Sequence, residues 1–131
     1  MSYASLRAVQ ALGFISDADI DAHATAVATL TAEVNQAVAN QASTAAPAKL
    51  AQLLDFQTRW SNYQIQWNTW VVNHTGLVSR FEDGSFAAMR LGYEALRKEW
   101  IASGQTTTAP PGMPAGEDLF WWLKVGGVGL A

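Results

Sequence analysis

The chain has 131 residues, of which half are apolar and only 15% are charged, and its formal net charge is −3. This length and apolar content fit one folded domain rather than a disordered segment, and the acidic balance disfavours a surface that neutralises nucleic-acid phosphates. The absence of cysteine excludes disulfides, thiolate metal sites and cysteine nucleophiles.

The first predicted helix covers about residues 2–12, places Leu6 and Val9 on one side, and ends near Gly13. This region contains no continuous apolar stretch followed by a small-residue cleavage site, so we expect no secretory signal. No part of the sequence approaches the ~20 consecutive apolar residues of a membrane-spanning helix. We therefore expect a protein that is cytoplasmic when made.

The second predicted helix begins at the sequence SDAD, where Ser16 or Asp17 can cap it. Asp19 follows Ser16 by three residues, which is the spacing of a capping box. The helix extends to about Asn40, and its apolar face consists of Ile20, Ala24, Val27, Leu30 or Thr31, Val34 and Val38. Most of its other positions are alanine or small polar residues, which let a neighbouring helix approach closely.

The third predicted helix covers about residues 48–73, and Pro47 suits its first turn. Large side chains recur along it at steps of three and four, and His74 continues their register. These side chains are Leu53, Phe56, Trp60, Tyr63, Trp67 and Trp70. A stripe with this spacing is most often the core-facing side of a helix, and an inter-subunit seam is the alternative. A membrane-facing role is disfavoured because the flanking positions lack the Lys and Arg typical of interfacial helices.

The fourth predicted helix begins at a cap supplied by Asp83 or Ser85 and ends near Ala102, with Gly104 as its stop signal. Large side chains again recur at steps of three and four. They are Phe86, Met89, Tyr93, Leu96 and Trp100. Matching narrow seams predict an all-α fold, an antiparallel bundle of three to four helices with coiled-coil-like packing, over residues 1–104.

A different composition follows the bundle. Residues 105–118 are rich in proline and threonine and predict an extended linker. Residues 119–131 form an apolar, Trp- and Gly-rich segment that we interpret as a docking segment. Its candidate interaction residues are Leu119, Phe120, Trp121, Trp122, Leu123 and Val125. Three destinations are open for it: a groove on its own bundle, a groove on a neighbouring subunit, or a membrane interface.

No metal or cofactor site is predicted. Asp17, Asp19 and Asp21 resemble the opening of a calcium loop, but Ala22 stands where that loop requires glycine. Helix-start electrostatics explains this cluster better. His23 and His74 are the only histidines and lack a paired ligand spacing, so we interpret each as a core-edge or surface residue.

The fourth helix also carries much of the basic charge of the chain. Glu94 precedes Lys98 by four residues, which favours a salt bridge on a solvated helix face. Arg90 and Arg97 add to the positive charge of this region. An acidic partner would therefore meet the chain here.

These features favour a non-enzymatic structural protein that assembles with copies of itself and with other proteins into a multi-copy complex. The sequence shows no catalytic signature, its helix faces are neutral and polar, and its arm is appended to the bundle. In composition the chain resembles small helical virion proteins of bacteriophages, including subunits of tail, head–tail or genome-delivery structures. That resemblance implies a location in a virion.

Two other classes of function stay open. One is a membrane-active pore or lysis-type protein that contacts lipid through residues 119–131, since tryptophan suits membrane interfaces. The other is a small ligand-binding bundle or enzyme. Its pocket would lie beside Trp67, Trp70 and His74, where aromatic and polar groups converge.

Overall fold

The computed structural model describes residues 14–81 and 84–112. This part of the chain is helical, without strands, and its helices pack against one another, so the predicted all-α antiparallel bundle is confirmed. The helices are α1 (Asp17–Gln41), α2 (Pro47–Asn73) and α3 (Ser85–Ala102), with a short 3₁₀ turn at Val78–Arg80 between α2 and α3. The helix predicted over residues 2–12 lies outside the described residues.

Helix α1 begins with the predicted capping box. Ser16 is the N-cap, and its hydroxyl oxygen accepts a hydrogen bond from the backbone N–H of Asp19 at 3.1 Å. The Asp19 carboxylate in return accepts the Ser16 N–H at 3.3 Å. Two backbone donors that the helix cannot satisfy are thereby paired, which fixes the start of α1.

Helix α3 begins differently from its prediction. Its N-cap is Gly84, whose φ of 91° belongs to the left-handed region that glycine tolerates. Ser85 is the first helical residue and not the cap, so that prediction is wrong, and Asp83 lies outside the described residues. The helix ends as predicted: Gly104 has a φ of 96°, and its N–H donates to the Ile101 carbonyl at 3.0 Å.

The connections make α2 antiparallel to both neighbours and place it against each. Trp60 of α2 donates its ring N–H to the Thr31 hydroxyl of α1 at 3.0 Å. Further toward the start of α2, the Phe56 ring packs against Trp100 near the end of α3, with 4.9 Å between centroids. Short loops of this kind favour antiparallel neighbours, and one continuous core lies between the three helices.

Candidate functional site

The large side chains at the predicted spacing lie in this core. We call the α2 set, Leu53, Phe56, Trp60, Tyr63, Trp67 and Trp70, the core seam of α2; all six are buried. From α3, Phe86, Tyr93 and Trp100 are buried, while Met89 and Leu96 are partly buried and pack against the cluster. Large aromatic side chains bury much apolar area, so these rings contribute a large share of the stability of the bundle.

His23 lies among these rings, not at the core edge or surface where the sequence placed it. Its Nε2 is 2.7 Å from the Tyr63 hydroxyl, which itself donates to the Met89 carbonyl at 2.9 Å. Because that hydroxyl has one proton, His23 Nε2 carries the proton of the first bond and donates it. The imidazole also packs edge-on to Trp67, with 4.6 Å between ring centroids. One chain of hydrogen bonds thus joins all three helices.

This environment keeps His23 neutral. Burial, with a smaller contribution from the positive charge of Arg90, lowers the pKa of His23 from 6.5 to about 4. Burial also raises the pKa of Tyr63 well above its ordinary value and that of Tyr93 to about 12. The cluster is therefore a set of uncharged hydrogen-bonding rings near neutral pH, which suits a structural role better than proton transfer.

The chain after α3 folds back onto the bundle. We call residues 105–112 the strap. Tyr93 donates its hydroxyl proton to the Pro110 carbonyl at 2.7 Å, and Arg97 Nε donates to the Ala109 carbonyl at 2.9 Å. Ala109 is buried in the core cluster. This part of the predicted extended linker contains no helix or strand, but it is packed against α3 and is not a free spacer.

Two carboxylates hold the strap. Glu94 is buried, and its Oε2 accepts the backbone N–H of Gly112 at 2.7 Å. Glu33 of α1 accepts both the backbone N–H and the hydroxyl of Thr108, at 2.8 and 2.7 Å. Burial alone would raise the pKa of Glu33, but hydrogen bonds from Thr107 and Thr108 outweigh it and hold the pKa below its usual range. The strap therefore bridges α1 and α3.

The prediction of a solvated basic face on α3 is wrong, because the strap covers part of that face. Glu94 pairs with Arg97 at 3.2 Å, and both side chains are largely buried beneath the strap, so the predicted pairing of Glu94 with Lys98 is wrong. Arg90 lies over the Phe86 ring, 4.8 Å from its centroid. Lys98 is the member of this basic group that is exposed.

Two cavities border the strap. A cleft of about 220 Å³ lies between α1 and the strap end and is lined by His23, Asp19, Arg90 and residues 110–112, among others. A wider groove of about 540 Å³ is lined by the second half of α1, Trp100 and residues 105–108. Most residues that line the wider groove carry an amide or a hydroxyl group, and Glu33 is its charged residue.

The region proposed from sequence as a pocket holds a stack of rings. Trp67 and Trp70 stack with 5.4 Å between centroids, and Trp70 and His74 stack at 4.0 Å. The Trp70 ring N–H donates to the Ser85 hydroxyl at 2.7 Å, while His74 Nε2 is 3.5 Å from that hydroxyl. The Ser85–His74 contact is at the long limit of a hydrogen bond, and His74 Nδ1 lies 2.6 Å from the Trp70 carbonyl oxygen rather than from a carboxylate, so these described contacts do not form a Ser–His–carboxylate triad.

The opposite face of α2 is exposed and uncharged. We call its residues Leu54, Thr58, Ser61, Ile65, Asn68 and Val72 the outer seam of α2; they follow one another at steps of four and three, and all are exposed. The exposed fractions of Leu54, Ile65 and Val72 are 43%, 64% and 71%. At 100° per residue these three lie within about 20° of one line along the helix, so they form one apolar line on the surface.

Within residues 14–81 and 84–112, no group of three or more His, Cys, Asp or Glu side chains is placed to hold a metal ion. No helix in that part of the chain combines the length and apolar character needed to cross a membrane. The predicted interaction residues Leu119–Leu123 and Val125 lie outside it.

Comparison with known proteins returned no relative: no protein-family model, curated protein or solved structure matches this chain.

The sequence contained a signal for one missed residue. His23 lies three residues after Ile20 and four before Val27, which places it in the apolar register of α1. No local pattern marks the strap or its contact with Glu94 in the same way, because the contacts that hold the strap join residues that are 12 to 75 positions apart.

Proposed function

We propose that this chain is a non-enzymatic helical subunit of a multi-copy structural assembly, and that the assembly is a bacteriophage virion structure such as a tail, head–tail or genome-delivery component. The observation that carries the assembly is the outer seam of α2. The part of α2 from Trp60 to its end has no charged side chain, and its exposed apolar residues lie on one line. The virion assignment rests on composition.

Further exposed apolar side chains lie past the end of α2. Leu77 and Val78 are 72% and 83% exposed and lie in the connection to α3. Single exposed apolar residues are normal on a soluble protein, but aligned ones beside neutral polar groups are typical of interaction surfaces. Such a surface can pack against a copy of itself, since no repulsion between like charges opposes the contact and no charge has to be desolvated.

The test is the size of the full-length protein in solution. Sedimentation velocity from about 1 µM to about 1 mM protein covers the range of weak to moderate interfaces. We expect species larger than a monomer, in proportions that rise with concentration. A chain that remains monomeric throughout, alone and when co-purified from its native source, would overturn the proposal.

A second measurement separates the membrane-active alternative. Full-length protein is mixed with anionic and with neutral liposomes and floated on a density gradient, and tryptophan emission is recorded. The assembly proposal predicts that the protein stays at the bottom with unchanged emission. Flotation that is lost in a Trp121→Ala, Trp122→Ala double variant would instead support contact with lipid through residues 119–131.

A further inference from the structure

The side chains of the outer seam of α2 form pairs at equal distances on either side of position 63, and the members of each pair are complementary. Reading outward from Tyr63, small Ser61 faces large Ile65 across the centre, and polar Thr58 faces polar Asn68. At the two ends, apolar Leu54 faces apolar Val72. The two members of each pair are equidistant from position 63, so a copy of α2 rotated by 180° places apolar opposite apolar, polar opposite polar, and the small Ser61 opposite the large Ile65.

We propose that the outer seam of α2 binds the same seam of a second copy in an antiparallel, two-fold symmetric helix pair. This inference rests on the proposed assembly function and names its partner surface. In a two-fold interface, residue i meets residue j and j meets i. Leu54 then packs on the partner's Val72, Thr58 lies by the partner's Asn68, and Ser61 receives the partner's Ile65.

The chemistry of each contact fits this pairing. A small residue opposite a large one lets two packed surfaces interdigitate, and Ser61 leaves room for an isoleucine. Thr58 and Asn68 offer neutral hydrogen-bonding groups that specify register, as polar residues do within helix pairs. A parallel pair would instead put Ile65 against Ile65 and Asn68 against Asn68, and it would leave Ser61 against Ser61 as a gap.

The electrostatics of the helix also permits a close approach. Asp55 and Arg59 are the charged residues nearest the seam, and they pair with each other at 3.0 Å. Arg59 also forms an ion pair with Glu99 of α3. These charges are thus satisfied within one chain, and no charged residue of the seam has to lose its hydration on contact.

Cysteine cross-linking tests the direction and register, and the absence of native cysteine makes it specific. Three single-cysteine proteins are prepared: Leu54→Cys, Val72→Cys and, as a control on the exposed face of α1, Ala28→Cys. In the antiparallel pair, position 54 lies beside position 72 of the partner. Two copies of position 54 are about 27 Å apart, at 1.5 Å per residue. A disulfide requires Cα atoms within about 7 Å.

We expect a mixture of Leu54→Cys and Val72→Cys to form the disulfide-linked dimer under mild oxidation, at a yield at least about tenfold above that of mixtures containing Ala28→Cys. Neither variant alone should exceed that control. Efficient cross-linking of Leu54→Cys with itself would show a parallel pair and overturn the inference. Assembly with no mixture-specific cross-link would also overturn it while leaving the assembly function intact, whereas a strictly monomeric chain would overturn both.

A charge at the centre of the seam gives an independent measurement. In Ile65→Lys, two lysines would lie near the two-fold axis, so we expect self-association at least about tenfold weaker. Ile65 is exposed, so at concentrations where both proteins are monomeric their thermal unfolding should be equal, which separates loss of docking from loss of folding. Ala28→Lys, the matched control on α1, should associate like wild type. Undiminished association of Ile65→Lys would contradict the proposed contact.

Discussion

Helix α2 has two seams of equal spacing on opposite faces, and one is buried while the other is exposed. The core seam consists of five aromatic rings and a leucine, all buried between α1 and α3. The outer seam combines three aliphatic residues with Thr58, Ser61 and Asn68, all exposed. Spacing alone therefore does not distinguish a buried face of a helix from an exposed one. The size of the side chains does, because burying a large ring removes much more apolar area from water.

The largest expected difference between the seams is in stability. Trp67→Ala removes a buried ring that contacts His23 and Trp70, so it should lower the free energy of unfolding by about 3–5 kcal/mol. Ile65→Ala, two residues earlier on the outer seam, should change it by less than about 0.5 kcal/mol. Urea unfolding monitored by circular dichroism measures both. A Trp67→Ala protein as stable as wild type would show that the core seam is exposed in solution.

The pH dependence of stability tests the burial of His23 against the core seam separately. The pKa of His23 is about 4 in the folded chain against 6.5 in the unfolded chain. The contribution of neutral His23 to the free energy of unfolding is fully present above pH 6.5. It is lost as the pH falls from 6.5 toward 4, because His23 of the unfolded chain takes up its proton at a higher pH than His23 of the folded chain. The total loss is about 3 kcal/mol at 1.36 kcal/mol per pKa unit.

A His23→Gln variant is the control for this pH effect, since glutamine keeps a donor for the Tyr63 hydroxyl but does not titrate. Its unfolding free energy should stay flat between pH 6.5 and 4.5. The lowered pKa values of Glu33 and Glu99 act only below their ordinary value of 4.5. Equal slopes for the variant and the wild type in this range would mean that His23 is solvated.

A smaller change in stability is expected at the strap. There, buried Glu94 and exposed Lys98 are one turn of α3 apart. Glu94→Ala leaves the Gly112 N–H without its acceptor and removes the partner of Arg97, which should cost about 1–3 kcal/mol. Lys98→Ala, on the exposed side of the same turn, should be nearly neutral. Hydrogen exchange should show residues 105–112 opening in the first variant alone. If these residues are as protected from hydrogen exchange in Glu94→Ala as in wild type, the contact between Glu94 and Gly112 does not keep the strap closed.

The sequence by itself determined where the described helices are and which side of α2 and α3 faces inward. Ser16 and Asp19 form a capping box by local geometry, Pro47 begins α2 and Gly104 ends α3, and all of these act within a few residues. The three- and four-residue spacing of large rings likewise reports a helical face directly. Local rules of this kind depend on neighbouring residues only, so they can be interpreted without knowing the fold.

Only the tertiary structure decided which polar side chains are buried and which partners they bond. His23 became a buried donor because Tyr63 of α2 and Met89 of α3 meet at its position in α1. Glu94 is buried and not solvated as predicted, because the strap folds back over α3 and brings the N–H of Gly112 to its carboxylate. A buried polar group is stabilised only by the partner that the fold delivers, and that partner lies far along the chain, where no local pattern specifies it.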